Sequence, residues 1–180
     1  MRYTDLIQEM PQLDREEIGM GLETMTGEHI TLFGGMRSGN SPANETRLKF
    51  IIYSNDILNQ VEPEEQEKAK IGFVELFVED GTAEILGLVN IKIDNPYKSE
   101  GFGEKIVTDL VDSAKGGELR IHDVNTNSRA RKFWNKMGIQ WLDGKRKKHG
   151  VITVGNKPPV INKPEVANVP VKLRGFGGVN

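Results

Sequence analysis

The chain has 180 residues, of which 28% are charged and 37% hydrophobic, and its formal net charge is −2. This length suits one domain with an ordinary core and room for an additional arm. A charge so near zero gives no overall field that would attract nucleic acid or an anionic membrane, so we expect neither partner. The absence of cysteine excludes disulfides, thiolate metal sites and a cysteine nucleophile, and no metal site is expected.

The start of the chain predicts a cytoplasmic protein, or one carried in an assembly made in the cytoplasm. Its first residues lack the apolar core of a signal peptide, and no apolar run is long enough to span a bilayer. Residues 14–25 then predict a helix, because Asp14 can cap it and Ile18, Leu22 and Met25 share one face.

Short apolar segments predict the first strands. Residues 29–33 and 48–53 are rich in apolar and β-branched side chains, and a loop of glycine, serine and asparagine separates them from residue 34 onward. Residues 59–70 are acidic and predict an exposed loop or helical turn. Residues 69–78 and 83–93 predict a hairpin, since Asp-Gly between them is a turn signal.

A glycine-containing turn follows the second strand of that hairpin. Gly101 and Gly103 stand where the strand gives way to a segment with apolar residues at helical spacing, Ile106, Val107 and Leu110. Glycine lets the backbone approach a ligand closely, and the first amides of a helix are unpaired donors at a positive dipole end. The pattern predicts either a diphosphate-binding turn or a plain strand-to-helix connection.

The second half repeats the strand-then-helix order. Residues 118–124 predict a strand, and residues 126–137 predict a short helix followed by Gly138 at its C-terminal end. Residues 139–142 and 151–154 predict a last hairpin, with the basic residues 145–149 at its tip. This tip is either a solvated loop or a contact for phosphate, acidic peptide or nucleic acid.

The character of the chain changes at residue 155. Four prolines interrupt residues 155–180, which have no periodicity and end in a glycine-rich stretch. Such a segment cannot form a helix or a central strand. We therefore predict one domain over residues 1–154 and an extended arm over residues 155–180, with a neighbouring protein as a possible binding partner for the arm.

Two motifs, in this order and spacing, resemble the GNAT superfamily of N-acetyltransferases over residues 71–141. The first is Lys98-x-x-Gly101-x-Gly103. The second is Asn127-x-x-Ala130-x-x-Phe133-Trp134, closed by Lys-Met-Gly-Ile. The resemblance implies an α/β fold: a mixed, mostly antiparallel sheet with a splayed parallel central strand pair, flanked by helices.

The resemblance also implies acetyl-coenzyme A as a substrate. In the family, the cofactor lies between the splayed strands, with its diphosphate at the glycine turn. The residues that this implies as contacts here are Ile91, Ile93, Lys98, Gly101, Phe102, Gly103, Asn127 and Trp134. Asn127 could equally be only a helix N-cap. Glu100 lies in the same turn, where its carboxylate would repel phosphate unless it points outward.

Catalysis in the family needs a base for the incoming amine, and three residues are candidates. Glu84 lies on the strand where some relatives carry a catalytic glutamate. Glu75 shares a face with two phenylalanines, and His122 lies on the strand over residues 118–124. Each could instead be structural. Trp134 occupies the position of the family's tyrosine acid, and an indole N–H is not a useful acid.

Two functions follow. The first is an acetyl-coenzyme A-dependent N-acyltransferase that acts on a small-molecule or protein amine of unknown identity. The alternative is a weakly active or inactive GNAT-like fold that serves as a structural or binding subunit of a larger assembly, such as a virion, with the arm docked on a neighbour. Trp134, Glu100 and the arm favour the alternative, and the preserved glycine turn favours the enzyme.

Overall fold

A computed structural model describes residues 24–122 and 127–156. Residues 14–23 of the helix predicted over residues 14–25 lie outside this part of the chain. Met25, at the end of that prediction, lies in a short strand instead. The predicted arm lies outside it from residue 157 onward, so the division at residue 154 stays a prediction. The end of the strand predicted over residues 118–124 also falls partly on residues outside the description.

The described residues form one eight-stranded sheet in the order β1-β2-β3-β4-β5-β6-β8-β7. The strands are β1 Met25–Thr26, β2 Ile30–Arg37, β3 Glu45–Ser54, β4 Lys70–Glu79, β5 Ile85–Ile93, β6 Glu118–Ile121, β7 Gln140–Trp141 and β8 Gly150–Thr153. Neighbouring strands are antiparallel except β5 and β6, which are parallel. The mixed, mostly antiparallel sheet implied by the resemblance to the GNAT superfamily is therefore confirmed.

Helices connect and cover the strands. The α-helices among the described residues are α1 Asn55–Leu58, α2 Phe102–Ser113 and α3 Ser128–Lys136. Short 3-10 helices span Pro63–Ala69, Asn95–Tyr97, Lys115–Gly117 and Val154–Asn156. The acidic segment predicted as an exposed turn is the first of these. As predicted, α2 follows β5 and α3 follows β6, which is the order that places two helix N-termini near the parallel pair.

The core lies between α2 and one face of the sheet. Ile106, Val107, Leu110 and Val111 are fully buried against β-strand residues, as their helical spacing predicts. Asp109 is also buried on this helix, and its Oδ2 accepts hydrogen bonds from the backbone amides of His29 at 2.7 Å and Ile30 at 2.9 Å. Burial raises the pKa of Asp109. This carboxylate ties α2 to the start of β2.

Strand β2 is longer than predicted. It continues past Phe33 through Gly34 and Gly35 to Arg37, with a register shift between Gly34 and Met36. The two glycines have φ values of 98° and 132°, which suit the bulge. The glycines that predicted a loop therefore serve a bulged strand.

Candidate active site

Strands β5 and β6 separate soon after they meet. Their register joins Gly87 to Arg120 and Leu88 to Ile121, and the amide of His122 then donates to the carbonyl of Leu88 at 2.9 Å. Beyond that bond β5 continues to Ile93 without a β6 partner among the described residues. A cavity of about 620 Å³ occupies this opening. The predicted splayed pair is confirmed.

A β-bulge lies at the point of separation. The register between β4 and β5 joins Glu75 to Asn90 and Leu76 to Leu88, which leaves Val89 as an extra residue in β5. A bulge interrupts the ladder and changes the direction of the backbone groups around it. Val89 lines the cavity, so the irregular backbone of β5 faces the space where the two strands part.

The glycine turn forms the opposite end of the cavity. Gly101 precedes α2 in the left-handed conformation, with φ of 85°, and lines the cavity together with Phe102 and Gly103. The amides of the first helical turn have no partner within the helix and lie at its positive dipole end. A helix N-terminus in this arrangement favours negative charge, as the predicted diphosphate contact requires.

Gly103 lets α2 approach α3 closely. A Cβ atom at this position would lie 3.2 Å from Cε2 of Phe133 in α3 and 3.6 Å from Cδ1 of Ile93 in β5. A larger side chain at position 103 would therefore push α3 and β5 apart at the cavity wall.

Cationic side chains surround the glycine turn. Lys98 lines the cavity as predicted, and so does Arg129, whose Nη2 donates to Oγ of Ser99 at 3.2 Å. Sequence reasoning missed Arg129, although its place in the first turn of the helix that Asn127 starts was a usable signal. Glu104 also lines the cavity, but it forms an ion pair with Lys136.

The structure places Glu100 and Asn127, for which the sequence left two readings open. Glu100 is exposed and is not among the residues that line the cavity, so its carboxylate does not project into the anion site. Asn127 caps α3, because its Oδ1 accepts from the amide of Ala130 at 2.8 Å, and it also lines the cavity. Its N-cap role and its predicted ligand contact are therefore compatible.

Trp134 forms part of the cavity wall. Its side chain is 6% exposed, and its ring lies 4.9 Å from that of Phe133 in an edge-to-face arrangement. The cavity exists with the indole in this position. Trp134 thus borders the cleft, together with the predicted contacts Ile91 and Ile93 from β5.

His122 is the candidate base that lies in the cleft. Its half-buried ring lies over Gly87 and packs edge-to-face on Phe77, with centroids 4.9 Å apart. Its Nε2 is buried and has no hydrogen-bond partner among the described residues. Burial lowers the pKa of His122, and the nearby charges of Arg120 and His149 lower it further. The imidazole is therefore neutral near pH 7 and able to accept a proton.

The other two candidate bases lie outside the cavity lining. Glu75 is opposite Asn90 and binds Arg47, with 2.9 Å between Oε2 and Nη2. Burial raises the pKa of Glu75, but hydrogen bonds, above all from Arg47, outweigh it and leave the pKa below its ordinary value. Glu84 precedes β5, at the end remote from the splay, and is exposed beside Lys115 at 3.2 Å. Their catalytic roles stay predictions.

Within residues 24–122 and 127–156, no group of three or more histidine, aspartate or glutamate side chains is arranged to hold a metal ion. No helix in that part of the chain has the length and apolar character needed to cross a membrane.

Comparisons with known proteins found similar folds. No family model and no curated protein matches the sequence. The chain is similar to a structure of the KacTA–DNA complex, with 18% identity, 61% of this chain and 69% of the other covered, and a TM-score of 0.41. It is also similar to AtaTR bound with AcCoA (17% identity, 61% and 68% covered, TM-score 0.42) and to nourseothricin acetyltransferase (14%, 80% and 94%, 0.40). The likeness is one of fold, and the chemistry of the cleft depends on its own residues.

Proposed function

We propose that this chain is an acetyl-coenzyme A-dependent N-acyltransferase. The observation that carries the proposal is one continuous cavity that joins the N-terminus of α2 to His122 through the opening between β5 and β6. An anion site at one end and a neutral imidazole at the other are what transfer from a phosphate-bearing thioester to an amine requires.

The residues of the cavity fit coenzyme A in order. The first-turn amides of Phe102 and Gly103 would bind the diphosphate, with Lys98 and Arg129 supplying positive charge. The edge of β5 beyond Leu88, which has no β6 partner among the described residues, would supply backbone donors and acceptors for the amide-containing arm of the cofactor, and Ile93 would supply apolar contact. The thioester would then lie between the Val89 bulge and His122.

The proposed reaction forms a bond between the amine nitrogen and the acetyl carbon and breaks the bond from that carbon to sulfur, with release of a thiolate. The amine arrives as an ammonium and loses two protons in forming the amide. His122 accepts the first, which frees the lone pair that attacks, and the second passes to water as the tetrahedral adduct collapses. A backbone N–H at the Val89 bulge, which the β4 ladder leaves out of register, would polarise the carbonyl. Trp134 donates no proton to the thiolate, which leaves without acid assistance.

Ligand-dependent stability tests this proposal. Acetyl-coenzyme A at a hundredfold excess over its dissociation constant should stabilise the protein by about 2.7 kcal/mol. Gly101→Val should abolish the shift, because valine resists a φ of 85° and would crowd the anion site. Gly144→Val is the matched control: Gly144 also has positive φ and open space around it but does not line the cavity.

Turnover completes the test. Release of free thiol from acetyl-coenzyme A should depend on an added amine across a broad acceptor panel. No stability shift at millimolar ligand, together with no amine-dependent thiol release, would overturn the proposal and favour a binding or structural role for the fold.

A further inference from the structure

The face of the sheet that carries Phe73 holds two lysines over one aromatic ring. Nζ of Lys49 lies 4.1 Å from the centroid of the half-buried Phe73 ring, and Nζ of Lys92 lies 5.9 Å from it. Lys92 is directly opposite Phe73 in the β4–β5 register, and Lys49 is on the other neighbouring strand, β3. Two ammonium groups from separate strands therefore contact the same ring.

The other charges of this face compensate each other. Arg47 binds Glu75 at 2.9 Å, and Arg120 binds Glu45 at 2.7 Å. Lys49 and Lys92, in contrast, form no ion pair with any residue in the described part of the chain. Glu75 is directly opposite Lys49, but Arg47 binds its carboxylate, so the group of Lys49, Lys92, Arg47 and Glu75 keeps an excess of positive charge that an anion could compensate.

These lysines lie near the proposed reaction centre. Asn90 is two residues before Lys92 on β5, and it lines the cavity. Leu88, whose carbonyl binds the amide of His122, is four residues before Lys92. At a strand rise of about 3.3 Å per residue, Lys92 is on the order of 7 Å along β5 from Asn90 and 13 Å from Leu88, where β5 and β6 part.

We propose that the acceptor is a primary amine that also carries a carboxylate or phosphate on the order of 7–13 Å from the reacting nitrogen, and that Lys49 and Lys92 bind this anion above Phe73. This inference rests on the proposed N-acyltransferase function. The spacing corresponds to an acidic group two or three residues from the free amine of a short peptide. Charge complementarity selects the anionic acceptor over neutral and cationic ones.

Matched acceptors test the inference. Four tripeptide amides begin with serine and glycine and end in glutamate, glutamine, arginine or phosphoserine, so that each has one primary amine and only the third side chain differs. Wild-type kcat/KM should be about 5- to 10-fold higher for the glutamate peptide than for the glutamine peptide, and lowest for the arginine peptide. The phosphoserine peptide distinguishes a phosphate site from a carboxylate site, and a preference for either acidic peptide supports the proposal.

Variants assign the preference to the lysine pair. The double variant Lys49→Gln/Lys92→Gln should lose the discrimination between glutamate and glutamine while retaining its stability shift with acetyl-coenzyme A. Lys132→Gln makes the same charge change at an exposed position on α3 and should keep the wild-type preference. Raising ionic strength from about 0.05 to about 0.5 M should weaken the preference of the wild type, since partly exposed charges are screened.

The outcomes separate this inference from the proposed function. A protein that is stabilised by acetyl-coenzyme A but acetylates the acidic peptides no faster than the neutral one, or acetylates none of the four, overturns the anionic acceptor and leaves the coenzyme A site intact. Equal loss of preference in Lys132→Gln would show that net charge rather than the lysine pair is responsible. Absence of both the stability shift and thiol release would instead refute the enzyme proposal.

Discussion

Replacement of Gly87 by alanine tests the role of His122 without changing the histidine itself. A Cβ atom at position 87 would lie 2.9 Å from Nε2 and 3.0 Å from Cδ2 of His122, and 3.2 Å from the carbonyl oxygen of Arg120. Gly87 does not have a positive φ, so alanine introduces no backbone strain there. The substitution therefore acts mainly by displacing the imidazole.

The expected magnitude follows from these distances. Ordinary contact begins at 3.4 Å, so the ring must retreat or turn by about 0.5 Å or more. Misplacement of a catalytic group by about 1 Å costs on the order of 10²-fold, and loss of a general base costs about 10²–10⁴-fold. We expect kcat/KM to fall by about 10²-fold, with a loss of unfolding free energy of about 1–3 kcal/mol from overpacking.

The assay is kcat/KM as a function of pH, with folding and coenzyme A binding measured in parallel. His122 must be neutral to accept a proton and burial lowers its pKa, so the acid limb of the wild-type profile should lie at lower pH than an exposed histidine would give. His122→Gln should lose that acid limb and a similar factor in rate. Gly155→Ala, where nothing lies within 4 Å of the new Cβ, is the control. A folded Gly87→Ala protein with wild-type rate and pH profile would refute His122 as the base.

Two further substitutions separate ligand binding from folding. Arg129→Gln should weaken acetyl-coenzyme A binding by about 3- to 10-fold, measured by calorimetry, while unfolding free energy stays within about 0.5 kcal/mol, because the side chain is exposed and its hydrogen bond to Ser99 lies at the surface. Unchanged affinity would remove Arg129 from the proposed anion site. Asp109→Ala should lower the unfolding free energy by about 2–4 kcal/mol in urea titrations, because two backbone amides lose their acceptor, yet leave the ligand-dependent shift in place.

Most of the fold could be predicted because its signals are local. The apolar spacing of α2 and the Asp-Gly turn between β4 and β5 each depend on residues a few positions apart. The strand predicted over residues 29–33 ends earlier than β2 does, and this difference also has a physical reason. A bulge interrupts the alternation by which strands are recognised, and Gly34 and Gly35 stand at it with positive φ, where glycine would otherwise indicate a loop.

The site was predictable where its residues lie in the two motifs. Gly101 and Gly103 stand in the first motif and Trp134 in the second, and the resemblance to the GNAT superfamily implied that the two motifs meet at one cleft. The sequence does not show the surroundings of the candidate bases, because the residues that contact them are distant in the chain. Glu75 is neutralised by Arg47 from β3, and Glu84 contacts Lys115 after α2. Only the folded chain shows that His122, rather than either carboxylate, reaches the cavity.

Trp134 completes the argument about proton transfer. If His122 is the base and no side chain protonates the leaving thiolate, the pH profile should have an acid limb and no basic limb from a general acid. Trp134→Tyr would place a phenol in the cleft wall, at some loss of packing against Phe133. That variant should keep or raise kcat/KM near pH 7 and gain a fall in rate near pH 10, the ordinary pKa of tyrosine. A wild-type profile that already falls on the basic side, before coenzyme A or the acceptor titrates, would show that another group protonates the thiolate. Protonation of the thiolate would then not depend on the residue at position 134.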